Sequence, residues 1–191
     1  MSAALTVGVL AVQGAFAEHR EALLRAGAEA REIRGPRELN GIDALILPGG
    51  ESTAQGRLLR ELGLFEPISK MIADGLPVFG TCAGMILLAK NIENDARRHF
   101  AAMDITVRRN GYGRQLASFA ARGRFAQYED VEMVFIRAPY IAAAGPDVEI
   151  LAETGGRAVA AREGRMLAAA FHPEMTPDLR VLEYFLAMAR A

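Results

Sequence analysis

One thiol stands out in this 191-residue chain: Cys82 is its only cysteine. It lies in Leu76-Pro77-Val78-Phe79-Gly80-Thr81-Cys82-Ala83-Gly84, an apolar run that reads as a strand turning straight into a helix through Gly-x-Cys-x-Gly. This is the cysteine form of a nucleophile elbow. The flanking glycines permit a turn too tight for side chains on both sides. The position just before the helix favours thiolate over thiol and offers the N–H of Ala83 to an oxyanion. A base is available ninety residues later, where the apolar run Met166 to Phe171 ends at His172-Pro173-Glu174. In an extended segment residues two apart face the same way, so His172 and Glu174 can meet on one side. Glutamate then holds the imidazole tautomer while imidazole activates the thiol. A third segment, Leu45 to Thr53, places Pro48-Gly49-Gly50 directly after a buried strand. Bare glycine backbone there can approach a ligand and present N–H groups to developing negative charge.

Each signal also has a plain structural reading. A free cysteine is commonly a small buried hydrophobe, His-Pro-Glu can be a surface turn, and a glycine pair before a Ser cap can be an ordinary strand-to-helix connection. Their co-occurrence, in the order nucleophile then histidine, favours thiol chemistry. The loop lacks the Gly-Lys-Ser/Thr ending of a phosphate cradle, which argues against a nucleotide there. Of the other two histidines, His19 falls in an amphipathic helix and His99 in a polar connection after Arg97-Arg98.

The elements that must position these groups alternate in type. Strands are expected over Leu5–Val12, Ala28–Ile33, Ala44–Leu47 and Pro77–Phe79. Helices are expected over Ala17–Ala26, from a Ser52 or Thr53 cap through Leu62, before Gly75, and over Ala83–Lys90. This alternation implies an open, mostly parallel, flavodoxin-like sheet with helices on both faces, three layers in all. The second half carries short candidate strands at 105–107, 131–136, 148–151, 158–161 and 166–171, some of which are expected to pair antiparallel as a meander near the sheet edge. A last helix is expected over Pro177–Ala189. In open parallel sheets ligands bind at the carboxyl ends of strands, and the three chemical segments sit at such ends.

Bulk properties exclude several classes. Twenty-two basic against twenty-three acidic side chains give a net charge of −1, with no basic excess to draw the chain onto nucleic acid. The longest uncharged stretch, Gly75 to Ala89, falls short of the roughly 18 to 20 apolar residues of a membrane span. No secretory signal pattern opens the sequence, and a lone cysteine suits a reducing compartment, so a cytoplasmic location and one domain over residues 1–191 are expected.

Together the three segments resemble the class I (triad) glutamine amidotransferases, and within them the glutaminase subunits of pyridoxal 5′-phosphate synthase. The likeness covers nearly the whole chain. It includes Val9 to Gly14 with Glu18-His19, Leu47 to Thr53, Phe79 to Met85, Asp104 to Asn110, Gly113-Arg114-Gln115, Val134 to Tyr140 and Phe171 to Glu174. The elbow and His-Pro-Glu are shared widely, whereas Arg109-Asn110 and Phe135 to Pro139 point to the vitamin B6 branch. The resemblance implies a catalytic triad of Cys82, His172 and Glu174. It implies a glutamine pocket lined by Gly50, Glu51, Ser52, Arg109, Ile136 and Arg137, with Gly50 and Ala83 as oxyanion donors. Without it, Arg109 and Arg137 would read as members of surface ion pairs. It further implies L-glutamine as substrate, no metal or organic cofactor, and a separate synthase subunit as the recipient of ammonia. The surface around Gln13 and His19 is the candidate docking region. Departures are local: His99-Phe100-Ala101-Ala102-Met103 differs from the usual lead-in to Asp104, Met175 replaces a commoner leucine, and Ala54-Gln55 varies the helix start. Two rival readings keep the thiol chemistry but change its setting, an amidotransferase of another pathway or a γ-glutamyl peptide hydrolase; a third, a non-catalytic regulatory subunit, keeps only the fold.

Overall fold

The computed structural model describes residues 4–112 and 118–191; the Gly113-Arg114-Gln115 segment lies outside them. The first half alternates as its hydrophobic pattern requires: β1 (Thr6–Leu10), α1 (Phe16–Arg25), β2 (Glu29–Ile33), β3 (Ala44–Leu47), α2 (Ser52–Glu61), α3 (Phe65–Ala73), β4 (Val78–Thr81) and α4 (Ala83–Leu88). The second half is strand-rich: β5 (Ala89–Ile92), β6 (Met103–Arg108), β7 (Ser118–Phe125), β8 (Tyr128–Ile136), β9 (Tyr140–Ala144), β10 (Glu149–Thr154), β11 (Arg157–Glu163), β12 (Met166–Ala169) and finally α5 (Arg180–Arg190).

Ten strands form one sheet in the order β2-β1-β3-β4-β12-β11-β9-β6-β5, with β10 paired to β11. From β2 to β12 every neighbour is parallel. Its central strands β3 and β4 are buried at every position, as strands covered on both faces must be. Beyond β12 the pairing turns antiparallel through β11, β9 and β6, and only β5 returns to parallel on the far edge. β6 alternates buried and partly exposed residues, the pattern of a one-sided strand. β7 and β8 form a separate antiparallel hairpin.

Alternation along β4 explains the layers. The Phe79 ring meets His19 of α1 and lies 5.4 Å from Phe185 of α5. Gly80, next in the strand, faces α4, where an added Cβ would fall 2.5 Å from the Gly84 carbonyl carbon. Helices α1 and α5 therefore cover one face, and α4, with α2 against it, covers the other. Among the described residues no helix is long and apolar enough to cross a membrane.

Several boundaries differ from expectation for identifiable reasons. Helix α4 stops at Leu88, and Lys90 belongs to β5, because the Leu87 and Leu88 carbonyls accept N–H groups from Phe100 and Ala102 while β5 pairs with β6. Tertiary pairing overrides the helix-favouring sequence there. Helix α5 begins at Arg180 rather than Pro177, since Asp178 accepts the Arg180 N–H at 3.1 Å and Thr176 Oγ1 accepts the Asp178 N–H at 3.2 Å. The cap of α2 is Glu51, not Ser52 or Thr53: its carboxylate accepts from the N–H groups of Thr53 and Ala54 at 3.0 and 2.8 Å. A negative group at a helix start answers both the free donors and the dipole.

Candidate active site

The elbow is built from backbone touching backbone. At Gly84 an added Cβ would lie 1.9 Å from the Leu47 carbonyl oxygen, so β3 and α4 approach as closely as only glycine allows. Cys82, between β4 and α4, takes φ 50°, ψ −102°, a left-handed conformation that a non-glycine residue holds only when its surroundings enforce it. Its N–H donates to the Ala169 carbonyl at 2.8 Å, which pins the turn to the end of β12. The sulfur is 3.9 Å from the Ile136 carbonyl oxygen. Helix α4 has six residues, so its influence on the sulfur comes from its first free N–H groups more than from a long macrodipole.

His172 follows β12 and is held by its N–H, which donates to the Val134 carbonyl of β8 at 2.8 Å. Its Nδ1 is 2.7 Å from Glu174 Oε1, the pairing expected from the sequence. The route differs, however. His172 and Glu174 do not meet by alternation along an extended strand. Pro173–Met175 forms a 3₁₀ turn with Pro173 in its first position, and the turn folds the carboxylate back under the ring. Burial pushes the His172 imidazole down, but hydrogen bonds with Cys82 and Glu174 outweigh it and push it up to about 10. Burial would likewise raise Glu174, yet His19 and His172 on its two sides hold it below the usual carboxylate range. At neutral pH the site thus holds an imidazolium against a carboxylate, next to the sulfur. A cationic imidazole beside sulfur is the partner a thiolate nucleophile needs.

The glycine loop closes the site from above. Gly49 packs on the base so tightly that an added Cβ would lie 2.3 Å from His172 Cε1. The Gly49 carbonyl accepts the Ala15 N–H at 3.0 Å, the Gly49 N–H donates to Thr81 Oγ1 at 3.1 Å, and the Glu51 N–H donates to Gln13 Oε1 at 2.9 Å. In a trans peptide the carbonyl and the following N–H point in opposite directions, so the Gly50 N–H points away from Ala15. Among the described residues neither the Gly50 nor the Ala83 N–H donates to a protein acceptor.

Gly50, Glu51, Ser52, Cys82, Ala83, Arg109, Ile136, Arg137 and His172 all line one cleft of about 410 Å³, and Glu174 lies behind it, 7% exposed. Arg109 pairs with Glu51 at 3.2 Å and faces Asp95 at 3.6 Å. The ion-pair reading of Arg109 therefore holds within the pocket wall, whereas Arg137 is exposed at the rim with φ 44°. Sequence reasoning missed the lining role of Gln13 and Asn110. It also placed His19 at a docking surface, but His19 is 1% exposed and cannot be touched from outside. The available signal was the stripe His19, Ala22, Leu23, the inward positions of α1.

Comparison with known proteins places the chain in a family. The family model for the SNO glutamine amidotransferase family matches residues 9–191. The pyridoxal 5′-phosphate synthase subunit PdxT of Pelotomaculum thermopropionicum is 54% identical over 184 residues, covering 95% of this chain and 94% of that protein. The subunit of the same name from Mycolicibacterium vanbaalenii is 54% identical over 187 residues, covering 95% and 96%. A crystal structure of a glutamine amidotransferase superposes with a TM-score of 0.92 at 45% identity, covering 97% of this chain and 99% of that one. With the family model spanning nearly the whole sequence and relatives this similar along their full length, the chain belongs to the SNO glutamine amidotransferase family.

Proposed function

We propose that this chain is the glutamine-hydrolysing subunit of a pyridoxal 5′-phosphate synthase, working as one domain in the cytoplasm with Cys82, His172 and Glu174 as its catalytic triad. The observation that carries the chemistry is the convergence of a strained cysteine elbow with a charged His172–Glu174 pair in one cleft. The PdxT relatives, alike along the whole chain, support the pathway.

In this reading the Cys82 sulfur attacks the side-chain amide carbon of glutamine, forming a C–S bond and an oxyanion. The Gly50 and Ala83 N–H groups meet that oxyanion. As the C–N bond breaks, the His172 nitrogen opposite Glu174 gives its proton to the leaving nitrogen, and ammonia departs from a γ-glutamyl thioester. Water then attacks the thioester while His172 takes its proton, and breaking the C–S bond releases glutamate and restores the sulfur anion beside the imidazolium. Gly50, Glu51, Ser52, Arg109, Ile136 and Arg137 hold the substrate, and ammonia goes to a synthase subunit docked nearby.

The test is glutamate release by the purified chain alone and with excess synthase subunit, with ammonia incorporation followed in parallel. The Gly49–Gly50 peptide is held through its carbonyl by Ala15, just ahead of α1, and the flanking peptides by Thr81 at the end of β4 and by Gln13 after β1. A partner pressing on the outer face of α1 can therefore set that peptide, and one misplaced oxyanion donor costs roughly 10² to 10³ in rate. The expected result is a rise of about that size on adding the partner. A lone chain already at the full rate removes the gating, and no release under either condition removes the glutaminase reading.

A further inference from the structure

A second imidazole lies beneath the triad, and no step above uses it. His19 projects inward from α1 into a site where it is almost fully enclosed, with its ring edge toward Phe79. Its Nε2 is 3.3 Å from Glu174 Oε2 and 3.0 Å from Thr81 Oγ1. Glu174 Oε1 is taken by His172, while Oε2 is buried and has no hydrogen-bond partner of good geometry. Thr81 Oγ1 is also the acceptor for the Gly49 N–H. One nitrogen therefore stands between the carboxylate that orients the base and the hydroxyl that holds the loop.

Electrostatics chooses the tautomer. A bare Nε2 lone pair 3.3 Å from a buried carboxylate oxygen would be repulsive, whereas an Nε2–H that donates to Thr81 Oγ1 also turns its positive end toward Oε2. Burial keeps this ring below the ordinary imidazole range, against the pull of Glu174, so it works as a neutral donor. We propose that His19 is a positioning residue whose Nε2–H donates to Thr81, setting the Gly49 N–H beside Cys82, and whose close approach to Oε2 holds Glu174 behind His172. The inference rests on the glutaminase reading above. It adds one ring set against both the base side and the oxyanion side of the site, so both are aligned from α1.

The experiment compares wild type, Cys82→Ala, His19→Leu, His19→Gln and Thr81→Val, each with excess synthase subunit. It measures kcat and KM for glutamate release, the rate of Cys82 alkylation by iodoacetamide, and thermal unfolding. His19→Leu lowers kcat on the order of ten- to a hundredfold, the range typical of residues that orient a functional ligand, with KM changed by less than about twofold. It also slows alkylation, because His172 loses its alignment. His19→Gln, whose amide can present N–H where the imidazole does, recovers most of the loss. Thr81→Val lowers kcat but leaves alkylation near wild type, because it loosens only the loop. If wild type releases no more glutamate than Cys82→Ala, the function itself is wrong. If wild type is active and folded His19→Leu matches it, or His19→Gln is no better than His19→Leu, the positioning role alone is overturned. Should His19→Leu fail to fold, the comparison of His19→Gln and Thr81→Val with wild type decides it: unchanged kcat in Thr81→Val, or loss in His19→Gln as deep as in Cys82→Ala, overturns the role.

Discussion

Replacing Gly49 with alanine separates catalysis from folding at a single methyl group. The added Cβ would lie 2.3 Å from His172 Cε1, 3.1 Å from Nδ1 and 3.3 Å from Cys82 Cβ. Carbon atoms settle near about 3.5 to 4.0 Å apart, so the ring or the loop must retreat by roughly 1 Å or more. The ring cannot do so without lengthening its 2.7 Å bond to Glu174 and leaving the sulfur. A displacement of about 1 Å costs on the order of 10² in rate, so kcat falls about a hundredfold. Gly49 is outside the left-handed region, so no backbone strain is added. Only overpacking remains, about 1 to 3 kcal/mol, a loss of several degrees in Tm for a chain of this size. Gly27→Ala is the control: its φ of +75° strains any side chain, but nothing lies within 4 Å. It loses about 1 kcal/mol of stability and keeps full kcat. Glutamate release with excess partner and a calorimetric scan read both quantities. A folded Gly49→Ala variant with kcat within about threefold of wild type would refute the placement of the base under the loop.

Cys82→Ala and Cys82→Gly are both inactive, since neither supplies a sulfur. They differ in stability: glycine relieves about 1 to 3 kcal/mol of strain at φ 50° against about 0.5 to 1 kcal/mol of chain entropy, so Cys82→Gly unfolds at or above the temperature of Cys82→Ala. Turnover in folded Cys82→Ala removes the thiol from the mechanism, and a markedly less stable glycine variant removes the strain. The two buried histidines impose opposite pH dependences. With His172 raised from 6.5 to about 10, its stabilisation is complete below 6.5 and is lost as pH rises toward 10. His19 is lowered, so the unfolded chain takes up a proton below pH 6.5 that the folded ring refuses, and stability falls with acid. Urea midpoints from pH 5 to 10 should therefore show a flatter alkaline limb in His172→Gln and a flatter acid limb in His19→Gln; an unchanged alkaline slope in His172→Gln means the ring is not charged in the fold.

What the sequence made legible was whatever steric need forces into local residue choice. A backbone approach such as that of Gly84 to Leu47 tolerates only glycine, so the elbow is written in consecutive letters. The same holds for Pro48-Gly49-Gly50, and for Pro173 at the first position of the 3₁₀ turn that joins base and orienter. Less legible were strands whose existence depends on a distant partner. Tyr140–Ala144 is alanine-rich and Ala89–Ile92 continues a helix-like run, and each is a strand only because β6 lies alongside. Ser118–Phe125 has no sheet of its own beyond β8.

His19 shows why the base and nucleophile could be read while their support could not. A histidine at an inward helix position looks, in one dimension, like a polar residue slightly out of place. Its meaning comes from a requirement elsewhere: Glu174 is ionised and buried, and one of its oxygens is already committed to His172. The group set against its other oxygen comes from the element the fold lays against the 3₁₀ turn, α1, whose His19 Nε2 is 3.3 Å from Oε2. The same nitrogen reaches Thr81, one residue before the nucleophile, whose hydroxyl accepts the loop N–H. One buried ring thus ties together α1, the residue before the nucleophile, the glycine loop and the 3₁₀ turn, segments far apart in the chain. A perturbation of α1 has a short, polar path to both the base and the oxyanion loop, which is the coupling that the proposed gating by a docked partner would require.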